Sequence, residues 1–218
     1  MATLDLHEQE QVDALKAWWK DNGKWLLWTL ALALGGFSAM QGWQSYKSNQ
    51  ALEASTLFSQ LLKQVESGDP KRINDAAAAV IDNYGSTAYA PRASLLAAQV
   101  NNLTKDPARA KTQLQWVIKH ADEEGLKNVA RLNLANVLLD EKSYDEALLL
   151  LDTPHPDSFD GLYTELKGDV LSAQGKVEAA RAAYQQVLDK TAANSAHHNL
   201  LQMKLDSLGK GDAPGGKK

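Results

Sequence analysis

Two patterns divide the chain. Trp25 to Tyr46 runs without a single Asp, Glu, Lys, Arg or His. From Gly68 onward, apolar residues recur three and four apart in segments separated by short breakers, the mark of amphipathic helices. No segment alternates with period two, so the fold class is all-α.

The first pattern predicts a helix that is apolar all round. A helix from Trp25 to Trp43 would be roughly 28 Å long, close to the hydrocarbon thickness of a bilayer. Lys24, Trp25 and Trp28 at one end, and Trp43, Tyr46 and Lys47 at the other, are residue types that settle at headgroup level. A single transmembrane helix over residues 24–46 is therefore expected. Its most apolar part, Trp25 to Met40, is short enough to be shared with buried core helices. A core helix, however, has no reason to be bracketed by aromatics and lysines. A cleaved signal peptide fits worse, because five acids (Asp5, Glu8, Glu10, Asp13, Asp21) precede the run against three lysines, and no A-x-A site ends it. Ala31, Gly35, Ala39 and Gly42 form a small-residue face on which another membrane helix could pack closely.

Residues 1–23 read as a short amphipathic segment, with Val12, Leu15 and Trp19 on one stripe of a helix from Leu6 to Asn22. Asn22-Gly23 is a helix stop signal, which would lay this piece along the membrane surface; a frayed tail is the competing reading. After the anchor no Gly or Pro occurs until Gly68-Asp69-Pro70, so a helical stalk is expected to continue through Ala51 to Glu66 on the stripe Leu57, Leu61, Leu62 and Val65. Breakers then fall at Tyr84-Gly85-Ser86, Lys105-Asp106-Pro107, Glu124-Gly125, Pro154 to Ser158 and Gly175-Lys176.

The segments pair and repeat. Ala110, Ala147 and Ala180 mark the second helix of successive hairpins, spaced close to the tetratricopeptide period of about 34 residues. Around them recur Ala98 with Leu114; Leu134, Ala135, Leu138, Tyr144 and Leu151; and Gly168, Leu171, Gly175, Val177 and Tyr184. Where two helices cross closely only Ala or Gly fits, and a Leu or Tyr one turn away fills the adjoining gap. A tetratricopeptide-like (TPR) helical-hairpin solenoid over residues 47–208 follows. An earlier degenerate unit (Ala51 to Tyr84) and a last helix from Asn194 to Leu208 would cap it. The tail 209–218, GKGDAPGGKK, is expected to be disordered.

Composition removes other functions. The net charge of −4 and scattered basic residues leave no nucleic-acid footprint. The chain has no cysteine, so it has no disulfide, thiolate metal site or cysteine nucleophile. His7, His120, His155, His197 and His198 show no metal spacing. Gly168 to Lys176 superficially resembles a phosphate loop, but Val177 stands where Ser or Thr is needed. No catalytic motif and no cofactor site emerge, so a binding module rather than an enzyme is expected. Lys16, Lys20 and Lys24 before the anchor, against Lys47 and Lys63 after it, vote weakly for a cytoplasmic N-terminus.

The stretch EQVDALKAWWKDNGKWLL, the single anchor, AYAPRASLLAAQ, ALLLLD, AARAAY and the terminal QMKLDSL together resemble the YfgM family, the ancillary subunits of the bacterial SecYEG translocon. The resemblance covers the chain up to Leu208 and is most specific from Glu10 to Leu27. It implies a single-pass protein of the bacterial inner membrane, with a cytoplasmic N-terminus and a periplasmic TPR domain. The partners it implies are the SecYEG translocon, the membrane-anchored periplasmic chaperone PpiD and secreted polypeptides, beside membrane lipid. The role it implies is passing secreted proteins to the periplasmic chaperone network, with the cytoplasmic segment linked to envelope-stress signalling. The alternative is a cytosol-facing TPR scaffold that recruits a soluble partner.

Carried onto these residues, the tetratricopeptide groove pattern selects the first helix of each pair. The candidates are Arg92, Leu95, Gln99 and Asn102; Leu132, Asn136, Leu139 and Asp140; and Leu162, Glu165, Asp169 and Ser172. Each either faces a polypeptide or packs the neighbouring hairpin.

Overall fold

The computed structural model describes residues 3–209, with side chains from Glu10 onward. The tail expected to be disordered lies, past Gly209, outside the described residues. All described secondary structure is helical: α1 (Thr3–Ser67), α2 (Pro70–Tyr84), α3 (Tyr89–Leu103), α4 (Pro107–His120), α5 (Glu124–Asp140), α6 (Tyr144–Leu151), α7 (Asp160–Ala173), α8 (Val177–Leu188) and α9 (Ala196–Ser207), with one 3₁₀ turn at Asp157–Phe159. The chain divides into two compact units, Met1–Leu52 and Glu53–Lys218.

In the first unit, α1 passes Asn22-Gly23 without stopping, which corrects the expected break there. One glycine in a helix interior costs only about 1 kcal/mol, and the ring of Trp19 lies where a Gly23 side chain would begin, 3.1 Å from its Cβ position. The Asn22 amide donates to the Trp18 carbonyl at 3.1 Å inside the helix instead of ending it. Farther along, Trp25, Leu26, Leu27, Trp28, Leu30, Leu32, Leu34, Phe37, Met40 and Trp43 are all exposed. Lys47 places its ammonium over the Trp43 ring, 5.6 Å from the centroid. No helix among the described residues is long and apolar enough to cross a membrane, so the span expected over 24–46 is not confirmed. Length is not the shortfall, since α1 has 65 residues. Its apolar run is diluted by the two tryptophans, Thr29, Gly35, Gly36 and Ser38. The small-residue face is open: Ala31, Gly35, Ala39 and Gly42 are exposed, and a Cβ on Gly35 or Gly42 would meet nothing within 4 Å.

The second unit is a row of hairpins set by one recurring turn. Gly68, Lys105, Lys142, Gly175 and Gly209 have left-handed backbones, with φ of 71°, 65°, 62°, 78° and 75°. They recur along the chain at close to the tetratricopeptide period. At the middle three, the residue itself donates to the carbonyl three back and the next residue donates to the carbonyl five back. The longer bonds are Asp106 N–H to Asn101, Ser143 N–H to Leu138 and Lys176 N–H to Leu171, at 2.8 to 2.9 Å. This is a Schellman stop. Asp69 and Asp106 then cap α2 and α4, accepting from backbone N–H groups at 3.0 to 3.3 Å ahead of a proline at the first helical position. Glu124-Gly125, expected as a breaker, lies inside the first turn of α5; the break falls at Ala121–Glu123.

The turns define equivalent positions. Ala110, Ala147 and Ala180 are fully buried, and Ile73 holds their place in the first hairpin. One turn onward in each pair stand Leu61 and Ala77, Ala98 and Leu114, Ala135 and Leu151, Gly168 and Tyr184, all buried. A Cβ on Gly168 would sit 2.6 Å from the Tyr184 ring. Each crossing thus combines one small and one large side chain, and in the first hairpin the order is reversed. The sequence markers Ala110, Ala147 and Ala180 have this physical cause. Three apolar clusters fill the unit in succession, with Trp116 packing against the first two and Leu148 against the last two, so the core is continuous.

Candidate polypeptide groove

The first helices of the hairpins lie side by side, α3 against α5 and α5 against α7. The twelve candidates are distributed over this face in four environments. Leu95, Leu132 and Leu139 pack against the central apolar cluster. They are half-buried, so part of their apolar surface is spent on that packing.

Arg92 reaches out of the row. Its guanidinium makes two parallel bonds to the Glu123 carboxylate, 2.9 and 3.0 Å, and a third to the Ala88 carbonyl at 2.6 Å. It ties α3 to the turn before α5. Asp140 is exposed, and Leu162 lines a separate cleft with Gln186, Lys190 and His197.

Gln99, Asn102 and Asn136 come together. They line one cleft of about 370 Å³ with Ala98, Leu103, Leu114, Asn133 and Val137. Asn136 donates to the Leu132 carbonyl at 3.1 Å. Every residue lining the cleft is uncharged. Asn133 was not among the sequence candidates; its position one turn before Asn136 was the available signal.

Glu165 and Asp169 are already engaged. Lys204, from α9, donates to Glu165 at 2.8 Å and to both oxygens of Asp169 at 2.7 and 2.8 Å. His197 Nε2 is 3.3 Å from Glu165, and the Tyr184 hydroxyl donates to Asp169 at 2.7 Å. The side chains are sheltered, with Glu165 12%, Lys204 25% and Asp169 29% exposed. Burial works against the Lys204 charge, but the bonds to Asp169 and Glu165 outweigh it and hold its pKa above the ordinary lysine value. Burial, then the bond to Asp169, pushes the Tyr184 phenol well above its ordinary value. The half-buried Ser172 lies on the same stretch of α7. Sequence reasoning missed Lys204, because nothing local links it to acids so far back in the chain.

Two polar clusters, centred on the buried Asn101 and Asn128, link the hairpins. Asn74, Asn101 and Gln113 exchange amide bonds at 2.7 to 3.0 Å across α2, α3 and α4. The Tyr163 hydroxyl donates to Asn128 at 2.8 Å, joining α7 to α5. Among residues with described side chains, no group of His, Asp and Glu is placed to hold a metal ion.

The tetratricopeptide repeat-like domain family matches residues 16–210, a span that begins ahead of the apolar run. A protein of Neisseria gonorrhoeae named ancillary SecYEG translocon subunit is 35% identical over 204 residues, 93% of this chain and 98% of that protein. Its namesake in Escherichia coli is 30% identical over 202 residues, 93% of this chain and 97% of that one. A third, from Aggregatibacter actinomycetemcomitans, is 29% identical over 203 residues, 93% of this chain and 98% of that protein.

Proposed function

This chain belongs to the family of ancillary SecYEG translocon subunits built on a tetratricopeptide repeat-like domain, and from that premise we propose that it is a membrane-anchored, non-catalytic accessory of the secretory translocon. The observation that carries the reading is the pairing, in one sequence, of an uncovered apolar run with a repeat stack presenting a polar and apolar face. On this reading, residues 24–46 are a transmembrane anchor with their tryptophans and lysines at the two interfaces. A span this diluted by small and polar residues gains from a neighbouring helix, and Ala31, Gly35, Ala39 and Gly42 allow the close approach that such packing needs.

The N-terminal segment is cytoplasmic and the repeat unit periplasmic, beside the anchored chaperone PpiD. Secreted polypeptides leaving the channel meet the face of α3, α5 and α7 and pass onward to chaperones. The cytoplasmic segment gives the protein its link to envelope-stress signalling. Membrane lipid is the remaining partner.

Because the chain lacks cysteine, a cysteine placed at Ser86 or Lys142 is a unique label. In spheroplasts, a membrane-impermeant maleimide is expected to modify it, and SecYEG is expected to co-purify with the full chain in mild detergent. Labelling only in inverted vesicles would favour the cytosol-facing scaffold instead, and loss of co-purification would remove the translocon role.

A further inference from the structure

The two ends of the apolar run in α1 carry the same residue types and use them differently. At the far end the groups turn on one another: Lys47 lies over the Trp43 ring, 5.6 Å from its centroid, and the Trp43 and Tyr46 rings are 6.1 Å apart. At the near end the cations are free. Lys16 is taken by Asp13 at 3.3 Å, but among the described residues Lys20 and Lys24 have no ion pair, and Asp21 makes none with either. Both lysines are exposed. Because α1 runs unbroken through Asn22-Gly23, they stack on one face, about 6 Å apart along the axis.

Lys24 shares a cleft of about 500 Å³ with Trp25, Trp28 and Leu32, so one cation stands at the end of an otherwise apolar crease. We propose that this crease binds an anionic phospholipid: Lys20 and Lys24 hold its phosphate, and one acyl chain lies along Trp25, Trp28 and Leu32. The inference rests on the membrane-anchor reading above and names the lipid class.

A zwitterionic headgroup brings its own cation, whereas an anionic one supplies the net charge that two unpaired lysines attract. Each ammonium has three donors, so two of them stacked on one face can share the oxygens of a single phosphate. The indole N–H groups of Trp25 and Trp28 only donate, and at headgroup depth they meet phosphate and ester oxygens. The dimensions agree. Trp25 to Leu32 rises about 10 Å, within the ~15 Å that one leaflet contributes to a hydrocarbon core of roughly 30 Å. Past Leu32 the crease is not blocked, since a Cβ on Gly35 or Gly36 would meet nothing within 4 Å. A free phosphate would gain nothing from the apolar wall, so the lipid is the occupant that the cleft fits.

The test uses the full chain in phosphatidylcholine nanodiscs containing a minor fraction of phosphatidylglycerol with a diazirine in its acyl chain. After illumination, peptide mass spectrometry maps the label. It is expected on Trp25, Trp28 and Leu32 rather than on Leu26, Leu30 or Leu34, which lie on other faces of the helix. A diazirine phosphatidylcholine should label all faces alike. Lys20→Gln and Lys24→Gln should each lower the cleft label about fivefold, the contribution of one cation at an anionic surface, while Lys47→Gln leaves it unchanged. Phosphatidylglycerol label spread evenly round the helix, label unchanged in the two lysine variants combined, or an equal loss in Lys47→Gln would overturn the site and leave the anchor standing. Absence of label from both lipids would overturn the anchor as well.

Discussion

At one register position, three successive first helices carry Gln99, Asn136 and Asp169, yet the two ends of the face they share have opposite fates. Around Gln99 and Asn136 the lining is neutral, and nothing from the described chain occupies the cleft. Around Asp169 the acids are buried enough to need a partner, and Lys204 supplies it from within. A repeat scaffold fixes where a side chain sits; at the closed end that position is a carboxylate, and Asp169 together with Glu165 meets Lys204 from α9. In this structure α9 takes the place of a further first helix, and Gly209 after it repeats the left-handed turn of Gly175.

The comparison can be broken most severely at the crossing beneath the closed end. Gly168→Leu would drive a side chain into the Tyr184 ring and should cost roughly 3 kcal/mol. Gly161→Ala, where a Cβ meets nothing within 4 Å, should cost far less. Hydrogen exchange in the full chain reads both, and similar protection of α7 and α8 in the two variants would remove the proposed register.

Lys204→Met comes next. It strands two sheltered carboxylates, a penalty between that of exposed and buried pairs, about 1–2 kcal/mol. Faster exchange at Leu201 and Leu205 with unchanged protection in α3 and α5 is the expected pattern. Alkaline pH should act in the same direction. The folded pKa values of Lys204 and Tyr184 are raised above their ordinary 10.5 and 10.0, so their stabilisation is complete below those values and is lost as pH rises through the folded ones. Exchange in α9 should therefore accelerate above about pH 10 before that in α5 does; simultaneous loss would contradict a separately held cap.

The turns give a smaller effect. Lys142→Gly relieves a left-handed non-glycine backbone and should stabilise by up to about 1 kcal/mol, whereas Gly175→Ala should destabilise by a similar amount. At the open end, Asn102→Ala with Asn136→Ala should shift stability by less than about 0.5 kcal/mol, because the one bond these amides make, Asn136 to the Leu132 carbonyl, is exposed and lies within α5. A larger loss, seen in urea unfolding, would mean that the cleft is structural.

The hairpin register was legible because close crossings force small residues to recur: Ala110, Ala147 and Ala180 mark it directly. The first hairpin was obscured because its crossing reverses the sizes, with Leu61 on the first helix, Ala77 on the second, and Ile73 at the marker position. The stop at Lys142 carries no glycine or proline, since a lysine takes the left-handed conformation there. Asn22-Gly23 misled in the other direction, because a stop signal inside a helix costs little when the turns on both sides persist. The candidate groove was legible only as a set of first helices. Which residues pack inward, which remain free and which meet Lys204 depends on contacts between helices distant in sequence.

The central claim is that polypeptide leaving the translocon contacts the α3–α5 part of the repeat face. A photo-reactive benzoylphenylalanine replacing Asn133, compared with one replacing the exposed Glu178 on α8, tests it in membranes carrying a stalled secretory chain. The account predicts crosslinks to the nascent polypeptide from position 133 and none from position 178. Equal crosslinking from both, or crosslinking from 178 alone, would contradict it.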